Sequence, residues 1–111
     1  MNSIPYITQI IKVEPFKVTC LWNTGEVRVN DFKLTFEKEG LFQPIYQLVD
    51  YQLFKYVSVS EEGTLHWVNV SIKLNFDGKE ITSPLDLDPV VLYDDSQPIS
   101  KFRLILNEEL A

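Results

Sequence analysis

Between Phe16 and Phe32 the chain alternates apolar and polar residues on either side of one turn, and no other feature restricts its folding as strongly. Phe16, Val18, Cys20 and Trp22 share one parity, and Lys17, Thr19 and Asn23 share the other. Successive side chains of a strand point to opposite faces, so this rhythm predicts a half-buried strand over Phe16–Asn23. Asn23-Thr24-Gly25 supplies turn residues, because glycine enters the left-handed region without a steric penalty. From Glu26 to Phe32 the alternation resumes, with Val27 and Val29 expected inward and Arg28 outward. Together the two runs predict an antiparallel β-hairpin.

The same rhythm extends to both sides. Tyr6–Glu14 predicts a first strand, with Ile7, Ile11 and Val13 on one face and Tyr6, Ile10 and Lys12 on the other. Pro15 interrupts it, since proline has no N–H for a ladder. Asp31–Asp50 does not alternate. Phe42, Ile45, Leu48 and Val49 fit helical spacing and predict about two turns of helix near Phe42–Val49. Gly40 separates these from an earlier short helical turn, and Pro44 suits a helix start. Strands are expected at Phe54–Ser60, Thr64–Val68, Val70–Phe76 and Lys79–Thr82. Glu61-Glu62-Gly63 and Asp77-Gly78 are the turns, the second being the strongest short hairpin signal. Asp88 as N-cap and Pro89 as first helical residue predict a single helical turn through Tyr93, broken by Asp94–Pro98. In the tail from Ile99, Phe102, Leu104 and Leu106 alternate and favour a strand, although Ser100 suits the cap of a helix.

These elements predict an α+β fold, mainly an antiparallel sheet of hairpins with one or two short helices packed on it. Composition agrees: β-branched and aromatic residues are plentiful, and alanine, the best helix former, is nearly absent. A length of 111 residues predicts a single domain, 1–111. Residues 7–95 would form its body and residues 96–111 a C-terminal extension. The one cysteine rules out an internal disulfide, and the N-terminal residues lack the charged and apolar regions of a signal peptide. No run of about 18 apolar residues is present to span a bilayer. A cytoplasmic location is therefore expected. The formal net charge of −6 argues against direct nucleic-acid binding, which depends on cations that neutralise phosphates, and against anionic membrane surfaces.

Chemistry-bearing residues are sparse. Cys20 as a nucleophile needs a nearby base, and His66 is the only imidazole. The plainer reading makes Cys20 a buried hydrophobe and His66 a solvent-facing strand residue. One His and one Cys cannot build a zinc site of the usual kind. Asp86, Asp88, Asp94 and Asp95 offer oxygens to calcium or magnesium, against the simpler reading of a solvated acidic edge. The four glycines are isolated, so no phosphate-cradling loop is present. Neither catalytic nor metal-ligating residues are assigned, and no cofactor is expected.

The order of Asn23-Thr24-Gly25-Glu26-Val27-Arg28-Val29, Asp31-Phe32, Phe54–Val59, Gly63-Thr64-Leu65-His66-Trp67 and Leu85-Asp86-Leu87-Asp88-Pro89 with Leu92-Tyr93 resembles the small prokaryotic domain-of-unknown-function family 2442. The resemblance covers roughly Ile7 to Asp95. The chain departs from the family pattern by an extra hairpin over Val68–Ser83 and by the tail after Asp95. The resemblance implies a prokaryotic or phage origin and an α+β fold, without an established activity. Some members look linked to helix-turn-helix segments or to gene pairs of the toxin–antitoxin kind. Trp67, Asp86, Asp88, Pro89 and Tyr93 match the family pattern and also have structural explanations as core aromatic, turn carboxylates, helix start and amphipathic anchor.

The expected function is a non-catalytic protein-interaction module, an antitoxin-like or accessory partner of a small basic protein. Its interaction surface is expected to draw on Trp67, Asp86, Asp88, Tyr93, Phe102, Leu104 and Leu106. Exposed strand edges in a small sheet also suggest self-association as a dimer. The competing readings are a small hydrolase or metal-dependent enzyme using Asp86, Asp88, Asp94 or Asp95, and a regulator linked to DNA through a partner.

Overall fold

The computed structural model describes residues 4–39 and 44–99. The expected hairpin forms β2 (Lys17–Trp22) and β3 (Val27–Asp31), paired antiparallel from Lys17↔Asp31 to Leu21↔Val27. β1 (Ile7–Glu14) lies on the other side of β2. After β3 come the helix α1 (Lys33–Glu39), a 3-10 helix (Pro44–Val49) and the single turn α2 (Tyr51–Phe54). β4 (Ser58–Val59), β5 (Leu65–Phe76) and β6 (Lys79–Asp86) follow, then helix α3 (Pro89–Asp95) and β7 (Gln97–Pro98). One sheet has the order β1-β2-β3-β7 and the other β4-β5-β6, with every pairing antiparallel. The expected α+β architecture of hairpins and short helices is the one observed.

Several local expectations are corrected. β1 carries two register shifts against β2, so its inward residues are Ile7, Ile10 and Val13, opposite Trp22, Cys20 and Val18. Each shift inserts one extra residue and flips the parity, which converts the inward spacing from two to three. Ile11 therefore faces out, half exposed. On β3 the alternation is also reversed. Arg28 and Asn30 pair with the buried Cys20 and Val18, so they share the core-side face. The strand expected at Phe54–Ser60 is reduced to Ser58–Val59, because Asp50 accepts from Gln52 N (2.9 Å) and starts a helical turn that includes Phe54. The helix expected near Phe42–Val49 is the 3-10 helix over Pro44–Val49.

Thr64–Val68 and Val70–Phe76 are one continuous strand. Its register against β6 shifts between Trp67 and Ser71, which moves the buried parity from Leu65 and Trp67 to Val70. The Asp77-Gly78 turn has both residues at positive φ (52° and 74°), the geometry that matches strand twist in a two-residue hairpin. β6 runs on to Asp86, past the expected Thr82.

The core lies between the two sheets and the helices. Val18, Cys20 and Trp22 of β2 meet Phe32, Phe36, Leu48, Phe54, Leu65, Trp67, Leu85 and Leu92. Phe54 is central, with Phe16, Phe32 and Trp67 at ring-centroid distances of 5.5, 5.5 and 5.9 Å. Trp67 is fully enclosed and donates Nε1–H to Phe54 O at 2.8 Å. Among the described residues no helix is long and apolar enough to cross a membrane.

Candidate functional site: an acidic, apolar surface at the β6–α3 joint

α3 begins as the residue pattern dictates. Asp88 has an extended backbone and its carboxylate accepts from Val90 N (2.8 Å), while Pro89 stands where its missing N–H costs nothing. The helix continues to Asp95, two residues beyond the expected Tyr93. It is held against β3 by side chains that the hairpin register turns inward. Asn30 Nδ2 donates to Leu92 O at 2.8 Å. Arg28 donates Nε–H to Ser96 Oγ (2.6 Å), Nη2–H to Ser96 O (3.1 Å), and Nη1–H to Glu26 Oε2 (2.7 Å). Its guanidinium also lies 4.2 Å from the centre of the Tyr93 ring. Tyr93 O–H donates to Glu26 Oε1, and its ring meets Trp22 edge-on at 5.2 Å. The hydrogen bond from Tyr93, then that from Thr24, holds the Glu26 carboxyl below its ordinary range; the bond to Glu26, then burial, raises the Tyr93 phenol.

On either side of the joint lies a cleft. The tighter one, about 180 Å³, is bounded by β3, α1, the 3-10 helix and α3. Phe32, Ile45, Leu87, Val91 and Leu92 form its apolar walls, and Asp31, Asp88 and Asp95 are its charged residues. The shallower one, about 510 Å³, shares Leu87 and Asp88 and adds Ile4, Pro89 and Val90 with the carboxylates of Glu62 and Asp86. Among the described residues, every charged side chain lining either cleft is therefore acidic. Apolar groups stand open beside them: Ile4 is 66% exposed, Val91 54% and Val90 39%.

Asn30 belongs to the wall of the tighter cleft and is only 4% exposed. Leu92 O can only accept, so the bond from Nδ2 fixes which way the carboxamide is turned. That leaves Asn30 Oδ1 as a buried acceptor with no donor among the described residues. An unmade buried hydrogen bond of this kind costs about 1–3 kcal/mol.

Of the residues expected at an interaction surface, Asp86 and Asp88 lie at these clefts. Tyr93 is half buried in the contact between α3 and β3. Trp67 is corrected to a core residue, since burial removes it from any surface. Phe102, Leu104 and Leu106 lie outside the described residues. Of the four aspartates considered for a cation, Asp94 lines neither cleft, and among the described residues no group of three His, Cys, Asp or Glu is placed to hold a metal ion. Burial pushes the Cys20 thiol up to about 12, so it is protonated at neutral pH and carries no nucleophile.

Sequence reasoning missed Asn30, Asp31, Glu62 and Ile4. For Asn30 a signal was present: it shares the parity of the apolar Phe32, so a carboxamide on the core side was legible. The joining of Glu62 and Ile4 to the α3 start depends on contacts between distant segments, and no local pattern carries it. Comparison with protein-family models, with curated proteins and with solved structures finds no match to the chain.

Proposed function

We propose that the chain is a non-catalytic protein-interaction module that receives a basic partner on the surface around Leu87 and Asp88. One observation carries this reading: among the described residues, two adjoining clefts combine apolar walls with carboxylates as their only charged groups, and exposed Ile4, Val90 and Val91 lie beside them. Uncovered apolar groups gain from being buried by a partner, and a rim of one sign favours the opposite charge and speeds its approach. The formal charge of −6 acts in the same sense over longer range. A small basic protein, as in an antitoxin-like pair, is the kind of partner that this charge suits.

Fluorescence anisotropy with a labelled basic amphipathic peptide tests the reading. Binding is expected to weaken as salt is raised, because exposed charges are screened. Asp86→Lys combined with Asp95→Lys is expected to abolish it while circular dichroism stays unchanged. Glu80→Lys, on the distant part of β6, is expected to bind like the parent. Equal affinity of the parent and the doubly reversed chain overturns the proposal.

A further inference from the structure

We infer that the tighter cleft is an anchor pocket for one arginine side chain of the partner, with the Asn30 carbonyl as its innermost acceptor. This rests on the reading above and narrows it to a side chain. At about 180 Å³ the cleft is smaller than the roughly 300–1,000 Å³ of small-molecule sites, so it suits a side chain better than a cofactor. Its walls of Phe32, Ile45, Val91 and Leu92 match an aliphatic stem, and Asp31, Asp88 and Asp95 match a cationic head.

The chemistry of the lining favours a guanidinium over an ammonium. Asp31 and Asp88 each spend one oxygen on a backbone N–H, from Lys33 and Val90, which fixes those carboxylates and leaves the second oxygen to accept. Asn30 Oδ1, on a residue of the cleft wall, adds a buried acceptor that nothing among the described residues satisfies. A guest meeting these groups must donate in several directions and accept nothing. Guanidinium presents five N–H donors in a rigid plane and sheds water more readily than ammonium.

The test is a titration of ¹⁵N-labelled full-length protein, followed by NMR, with N-acetyl-arginine methylamide and with its lysine and norleucine counterparts. The arginine compound is expected to saturate in the millimolar range. It should shift the Asn30 side-chain amide together with the Val91 and Leu92 backbone amides. The lysine compound should bind several-fold more weakly, and norleucine should leave these signals in place. Thr35→Phe, which fills the cleft from α1, should remove the response; if that variant does not fold, the shift pattern of the parent still decides. Equal response to lysine, a response that does not saturate, or shifts that map elsewhere overturns the inference. Salt-dependent peptide binding that survives Thr35→Phe overturns it while leaving the proposed function standing. Saturation by the arginine compound without any peptide binding does the reverse.

Discussion

Phe16 follows Pro15 in the two-residue turn between β1 and β2, and its φ of 67° lies where side chains with a Cβ are strained. Proline at the first turn position is favourable, but the second position calls for glycine. The ring explains the choice: it packs edge-on against Phe36, Tyr51 and Phe54 at 5.5, 6.0 and 5.5 Å. Urea unfolding should therefore show an inverted order of substitutions. Both Phe16→Ala and Phe16→Gly lose the packing, roughly 2–4 kcal/mol. The glycine variant should be the more stable of the two by about 1 kcal/mol, because it also relieves the left-handed backbone. A second residue-scale expectation concerns Glu26 and Tyr93. The Glu26 carboxyl is lowered from 4.5 in the folded chain, so its contribution is present above that value and lost as pH falls through the folded one. The Tyr93 phenol is raised from 10.0, so its contribution is present below pH 10.0 and lost as pH rises through the folded value. Melting temperatures measured across pH should show Tyr93→Phe less stable at neutrality and flatter at both extremes.

At the scale of elements, the two sheets meet where β1 begins. Ile7 N donates to Gly63 O at 2.7 Å, and Asn23 N donates to Tyr6 O at 2.9 Å, so the start of β1 touches both the β2–β3 turn and the β4–β5 turn. Gly63 has φ of 75°, and a Cβ there would stand 2.6 Å from Tyr6 Cβ. That atom is fixed to the backbone and cannot swing aside. Gly63→Ala should cost about 2–4 kcal/mol by chemical denaturation, from backbone strain and overlap together. Gly25→Ala should cost less, since its φ of 86° is strained but its surroundings are open. The register shifts of β1 and β5 are also element-scale features. They let one strand keep its apolar residues inward where simple alternation would turn them to water.

Across the whole molecule, the principal extents are 58, 37 and 22 Å, and the β5–β6 hairpin departs from the core as it approaches its turn. Leu85 and Val70 are buried near its base, whereas Leu74 and Ile81, which pair with each other, are 43% and 46% exposed. Leu85→Ala should lose about 2–5 kcal/mol. Leu74→Thr and Ile81→Thr should each change stability by no more than about 0.5 kcal/mol, as substitutions away from packed sites do. A large loss at Leu74 or Ile81 would show that this hairpin is packed in solution. Amide hydrogen exchange should follow the same gradient, slow at Leu65 and Trp67 and faster toward Asp77.

Local chemistry by itself determined the β2–β3 and Asp77-Gly78 hairpins, the Asp88-Pro89 start of α3, and the antiparallel α+β class. Each depends on a few neighbouring residues whose period, cap or turn geometry has one physical solution. Only the tertiary structure decided where β1 and β5 shift register, and that Trp67 belongs to the core. It alone brought Asn30, Asp31, Asp88 and Asp95 around one cleft. These outcomes follow from pairings between segments far apart in the chain. A single inserted residue in a ladder reverses every side chain beyond it, and local alternation carries no record of where the partner strand will impose that shift.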